Sequence, residues 1–256
     1  MRNAINIAWR DIRSVFVSPI AYVVLTGFVL LSGWFFFNLL GNFNRIVAQY
    51  SSVEGVDTSW LNLNDAVVGP LVQNLSVVLL IVIPMLTMRS FAEERAVGTY
   101  ELLFTSPLRV AEIVAGKFLA GAFMVTIMIG LTFTFPLILM YFGNPEPGLI
   151  LSGYLGLYLT ALSFVAIGNF TSALTSNQII AAVSALVMLL LLFVINWPAA
   201  GAAEPIKSVL LYISVTENLT ALVRGVVDTS NLIYFASLIG VFLFLTHRAV
   251  ESARWK

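Results

Sequence analysis

The chain contains no cysteine and a single histidine, His247. The first absence excludes disulfides and thiolate metal sites. The second leaves one imidazole, beside Arg248, around which no Ser-His-Asp set can be assembled. Charge is almost as scarce. Asp, Glu, Lys and Arg make up 10% of the residues, whereas soluble domains carry about 25%. The 13 basic and 13 acidic side chains cancel, so the electrostatic footprint of a nucleic-acid partner is missing. A phosphate-binding loop is missing too. Gly116-Lys117 has the ending of one, but Ala111 stands where its first glycine belongs, and Phe118 where Ser or Thr would hold magnesium. No catalytic, cofactor-binding or metal-binding residue is assigned, and an enzyme is not expected.

What is present is apolar. Hydrophobic residues make up 59% of the chain and the mean hydropathy is +0.96, the composition of an integral membrane protein. A spanning helix needs about 20 apolar residues. Charge-free windows at 14–44, 66–88, 118–145 and 229–246 each hold one span. The window 147–203 is long enough for two, separated by a tight polar hairpin at 171–178. The expected fold is an all-α membrane protein of six transmembrane helices, a single domain over 1–256. The expected spans contain no Asp, Glu, Lys or Arg, which argues against ion-coupled carriers, proton relays and voltage sensors. Asn38, Asn74 and Asn169 are their strongest polar groups. Each either hydrogen-bonds a neighbouring helix or contacts cargo.

Loop charge sets orientation. With the N-terminus in the cytoplasm, ten basic residues lie inside: Arg2, Arg10, Arg13, Arg89, Arg95, Arg109, Lys117, Arg248, Arg254 and Lys256. Three lie outside: Arg45, Lys207 and Arg224. Both termini are therefore expected on the cytoplasmic side, and 42–65 reads as an outer loop.

Three segments stand apart from the spans. Residues 1–17 lack the layout of a signal peptide. Ile5, Trp9, Ile12 and Phe16 share one helical face and Asn6, Arg10 and Arg13 the other, which suits an amphipathic helix in the inner interface or a frayed start of the first span. Residues 196–230 carry two apolar stripes. Ile206, Val209, Leu210 and Ile213 follow Pro205. Leu219, Leu222, Val223 and Val226 follow Thr216, a suitable N-cap. Two short outer helices, a shallow re-entrant hairpin and a plain surface loop are the alternatives, and Arg224 and Asp228 stand four apart, in position to pair on one helix. Residues 89–117 hold eight charged side chains. Helix formers run to Gly98, which interrupts them. Thr99 can cap a second short helix with Glu101 in its first turn, and Ser106-Pro107 ends it. Phe91, Tyr100, Leu103 and Phe104 add apolar anchors. Such a bent elbow is either a docking surface or a solvated membrane-edge helix whose charges set topology.

The stretch "EERAVGTYELLFTSPLRVAEIVAGK", with Glu93, Glu94, Gly98, Thr99, Glu101, Leu103, Ser106, Pro107, Leu108, Glu112, Ile113, Val114, Gly116 and Lys117, resembles the coupling-helix region of ABC-2-type exporter permeases. "NIAWRDIRSVFVSPIAYVV" and "RGVVDTSNLIYFASLIGVFLFLTHRAVESARW" extend the likeness over the whole chain. It is nearest to the gliding-motility-type permeases and the permease of nitrous-oxide-reductase maturation. The resemblance implies a bacterial inner-membrane complex of two six-span permeases and two cytoplasmic ATPase subunits, which hold the ATP and magnesium. It also implies an N-terminal interfacial helix, a cytoplasmic coupling helix between spans two and three, and an outer re-entrant hairpin between spans five and six. The coupling residues would be Phe91, Glu93, Glu94, Arg95, Gly98, Thr99, Tyr100, Glu101, Leu103, Phe104, Ser106 and Pro107. Leu219, Leu222, Val223, Arg224 and Asp228 are the outer-gate candidates. The second permease is an identical copy or a different chain, and an auxiliary membrane or periplasmic protein fits the same family. ATP-driven export is the expected function. A membrane scaffold that transmits mechanical work, with nothing transported, and a passive channel or carrier are the alternatives.

Overall fold

A computed structural model describes residues 2–51, 62–98 and 109–253, and these form helices and short connections with no strand among them. Helix α1 (Arg2–Val17) stops at Ser18, and Pro19 opens α2 (Pro19–Ser51). At 33 residues, α2 is about 50 Å long. It runs well past its apolar window, so 42–51, expected as the start of an outer loop, is helical. Asn42, Asn44, Arg45 and Gln49 are polar, but no proline interrupts the helix there.

A π-helical turn at Asn64–Val68 leads into α3 (Gly69–Thr87), whose first turn holds Pro70. After a turn at Met88 the chain continues as α4 (Arg89–Val97). The third span is α5 (Val110–Thr132) and α6 (Thr134–Phe142), interrupted at Phe133. Pro136 accounts for the interruption: it lacks an N–H and its ring crowds the carbonyl four residues back. That carbonyl, of Thr132, instead accepts a hydrogen bond from the Tyr154 hydroxyl at 3.0 Å.

Proline also opens α7 (Pro147–Leu174). The hairpin expected between spans four and five is present. Asn177 caps α8 (Gln178–Val194), its side-chain oxygen accepting from the Ile179 N–H at 2.9 Å. A short 3-10 turn at Trp197–Gly201, α9 (Ile206–Ile213), α10 (Val215–Val223) and α11 (Thr229–Ala253) complete the described chain.

Six helical stretches among the described residues are long and apolar enough to cross a membrane. Burial divides them. The most apolar window is 61% buried in Asn64–Val97, 44% in Val110–Phe142 and 72% in Pro147–Leu174. It is 17% buried in each of Ala21–Tyr50, Gln178–Ala199 and Thr229–Ala253. Spans two, three and four therefore build the core, and the other three flank it. Helix α7 ties the ends together: it meets α10 near Gly153 and Gly156 and α4 through Ser172. Those contacts are 16–19 residues apart, about 24–29 Å along the helix.

Candidate functional site

The charged end is built around Lys117. The sequence suggested an elbow running to this residue, but α5 already starts at Val110, so Lys117 lies two turns into a spanning helix. It is 4% exposed. A buried ammonium requires partners, and two other helices supply them. Its Nζ lies 3.0 Å from Glu94 Oε1 of α4 and 3.3 Å from Asp11 Oδ2 of α1, and it donates to the Ser90 carbonyl. It also sits 5.0 Å above the centroid of the Phe91 ring. Arg10 closes the network, with Nη2 at 2.9 Å from Glu94 Oε1 and 2.8 Å from Asp11 Oδ1. Desolvation works against the charge of Arg10, but Asp11 and Glu94 outweigh it and hold the guanidinium above its ordinary pKa.

Helix α1 reaches this position through a face the sequence pattern did not reveal. Ala4, Ile7 and Ala8 are buried against α5. At Gly116 an added Cβ would come within 2.8 Å of the Ala4 carbonyl oxygen and of Ile7 Cβ. The glycine that resembled a nucleotide-loop ending thus serves helix packing. Ile5 and Trp9, on the apolar face expected in the membrane interface, remain 61% and 52% exposed.

Helix α4 is the described part of the expected coupling segment. Ser172 of α7 clamps its first turn: its Oγ accepts from the N–H groups of Phe91 (3.0 Å) and Ala92 (3.1 Å) and donates to the Met88 carbonyl at 3.0 Å. These satisfy helix-terminal groups that otherwise lack partners. Phe91 is completely buried, in a small cluster with Ile7, Val110, Ile113, Val114, Ala173 and Val250. As an exposed docking anchor it is therefore corrected: it fastens α4 to the bundle. Glu94 likewise points into the network. Glu93 and Arg95 are half-buried, and Val97 is 69% exposed. Gly98 ends the helix at φ +77°, where a residue without Cβ is favoured. Thr99, Tyr100, Glu101, Leu103, Phe104, Ser106 and Pro107 lie outside the described residues.

At the other end, α9 and α10 meet at a 70° bend. The cap of α10 is Ser214 rather than Thr216, because the extended backbone lies at Ser214, whose side chain accepts from the Glu217 N–H. The Thr216 hydroxyl donates to the Phe193 carbonyl at 2.8 Å. The second stripe is largely buried. Leu219 and Leu222 are 1% and 0% exposed and press on Gly156, where an added Cβ would lie 2.9 Å from Leu222 Cβ. Val223, half-buried, packs beside Gly153 and Gly69. The first stripe is not buried within the chain: α9 has no buried residue, and Ile206 and Val209 are 61% and 53% exposed. Arg224 and Asp228 do not share a helix. Arg224 follows the last residue of α10, Gly225 turns the chain at φ +80°, and no ion pair joins the two.

His247 faces Glu251 at 3.8 Å on α11. Among the described residues no group of three or more His, Cys, Asp or Glu side chains could hold a metal ion. The site thus contains a charged anchor at one end and a bent, mainly apolar helix pair at the other. The family model described as ABC-2 family transporter protein matches residues 5–250 of the chain. Among curated proteins, none matches it.

Proposed function

The chain belongs to the ABC-2 transporter family, and on that premise we propose that it is the permease subunit of an ATP-driven exporter, moved by a separate ATPase seated at the α4 end. Members of this family are multi-pass membrane subunits that work with an ABC ATPase. The observation that carries the finer reading is the clamp on α4. Ser172, Phe91, Glu94 and Lys117 tie that helix to α7, α5 and α1 at once. A push on α4 would reach three elements of the bundle directly. Residues 89–117 then act as the coupling elbow, with the partner-facing groups on Arg95, the exposed Val97 and the stretch from Thr99 to Pro107.

In this reading the N-terminal helix lies at the inner face of a bacterial inner membrane with both termini cytoplasmic. Two permeases, identical or paired with a second chain, meet two ATPase subunits that hold ATP and magnesium. The α9–α10 hairpin faces outward as the gate. The uncovered α9 stripe and the lightly buried first, fifth and sixth spans leave apolar surface for lipid and a second permease.

Affinity purification of the tagged chain from native membranes tests the partnership. The expected result is co-purification of an ABC ATPase whose hydrolysis the permease stimulates, with stimulation lost on Arg95→Glu combined with Glu101→Lys. An ATPase that still binds and is stimulated normally by that variant refutes docking at these residues. ATP-dependent release of cargo from reconstituted vesicles separates export from purely mechanical work.

A further inference from the structure

A cavity of about 510 Å³ lies beside the charged network, between α1, the ends of α3 and α4, α5 and α7. That volume falls within the roughly 300–1,000 Å³ typical of ligand sites. Its wall is divided. One part carries Arg10, Arg89 and Lys117 against Asp11, Glu93 and Glu94, so the charges balance. The other is apolar, with Met85, Met124, Val125 and Val165. From Lys117 to Val125 it extends eight residues along α5, about 12 Å.

Two donors on this wall have nothing to donate to. Asn169 is 1% exposed, lines the cavity, and its Nδ2 has no hydrogen-bond partner. Arg89 Nε is also buried without a partner. Buried polar groups are almost always satisfied, so a pair of orphaned donors beside an open volume calls for an acceptor that enters it. Lys117 is already occupied by Glu94, Asp11 and the Ser90 carbonyl. The balance of wall charges disfavours a multiply charged anion. A head group carrying one phosphodiester and one cation suits it: the phosphate oxygens face Asn169 and Arg89, and the cation faces Glu93. The apolar wall takes an alkyl chain.

We propose that this cavity binds one zwitterionic phospholipid of the surrounding bilayer, with its phosphate held by Asn169 and Arg89 and one acyl chain lying along Met124, Val125 and Val165. The occupant wedges between α4 and the core spans. The inference requires only that the chain is a membrane protein and does not depend on the direction of transport.

The test uses the full chain with its ATPase partner in vesicles of phosphatidylethanolamine and phosphatidylglycerol, doped with a phosphatidylethanolamine bearing a diazirine midway along one acyl chain. After irradiation, cross-links are expected to concentrate on peptides containing Met124 and Val165. Asn169→Asp, which replaces the donor with an acceptor at nearly constant shape, should lower that labelling at least fivefold, as should Val165→Phe, which fills the apolar wall. Leu191→Phe, on a 67% exposed position of α8, should leave it unchanged. Thermal unfolding midpoints establish that the compared variants are folded. Labelling that is uniform over the exposed spans, or unaffected in both cavity variants, overturns the proposal. Labelling that turns over only when ATP is supplied also overturns it, because the occupant is then cargo and not a resident lipid.

Discussion

The two ends of the bundle are held by different physics. At the α4 end, charge and hydrogen bonding dominate. Lys117, Glu94, Asp11 and Arg10 join three helices, and one hydroxyl, on Ser172, satisfies three backbone groups. At the α9–α10 end, apolar contact dominates. Leu219 and Leu222 lie against a glycine surface on α7, and single hydrogen bonds from Thr216 to the Phe193 carbonyl of α8 and from Tyr234 of α11 to the Ile213 carbonyl stand at its edge. Directional bonds fix orientation, whereas apolar contacts of this kind fix distance and leave room to slide. The proposed coupling role suits the first construction, and the proposed gate suits the second.

The comparison can be broken most severely at Lys117. Lys117→Met should destabilise the protein by about 3–5 kcal/mol, since it leaves carboxylates partly buried without their ammonium. Adding Glu94→Gln should restore part of the loss, as a double-mutant cycle of unfolding midpoints in detergent would report. A loss below 1 kcal/mol on the scale set by buried pairs would mean that the network does not hold the helices.

Ser172→Ala should cost about 2–3 kcal/mol, because two N–H groups and a carbonyl lose their partner in a buried place. The same variant should weaken ATPase stimulation at temperatures where it is still folded. Stimulation equal to that of the parent chain would show that the clamp is structural only.

A smaller effect is expected at the hairpin. Gly156→Ala should destabilise by about 1–2 kcal/mol through overpacking, because the added Cβ would lie 2.9 Å from Leu222 Cβ, an atom that every residue but glycine keeps. A loss below about 0.5 kcal/mol, the range of an ordinary surface substitution, would mean that α10 moves away from α7 freely.

The smallest effect is at the exposed rim. Arg224→Ala should stay within about 0.5 kcal/mol of the parent. In this cysteine-free chain, Arg224→Cys should react at once with a membrane-impermeant thiol reagent, while Leu219→Cys stays protected until ATP and the ATPase are supplied. Equal rates at both positions without ATP would mean that the hairpin is already open.

Composition and hydropathy alone determined much of this protein. Few charges and long apolar windows leave only spanning helices as an economical fold, because the chain lacks polar surface for water. The breaks at Ser18-Pro19, at Gly98 and around Asn177 follow from local backbone chemistry, so they were legible as well. Tertiary structure decided which faces of those helices meet. Helix α1 carries two usable faces, and periodicity favoured the larger side chains of Ile5 and Trp9. The bundle selected the small residues Ala4 and Ala8 because they allow α1 to approach Gly116 closely. Phe91 read as an exposed anchor because its neighbours are charged, yet it is buried beneath Lys117. Arg224 and Asp228 suited a helical pair by spacing, but Gly225 ends the helix between them. Lys117 itself resembled one more topology-setting charge. Its partners lie 23 and 106 residues away in the chain, and no local pattern records a pairing that exists only once α1, α4 and α5 are brought together.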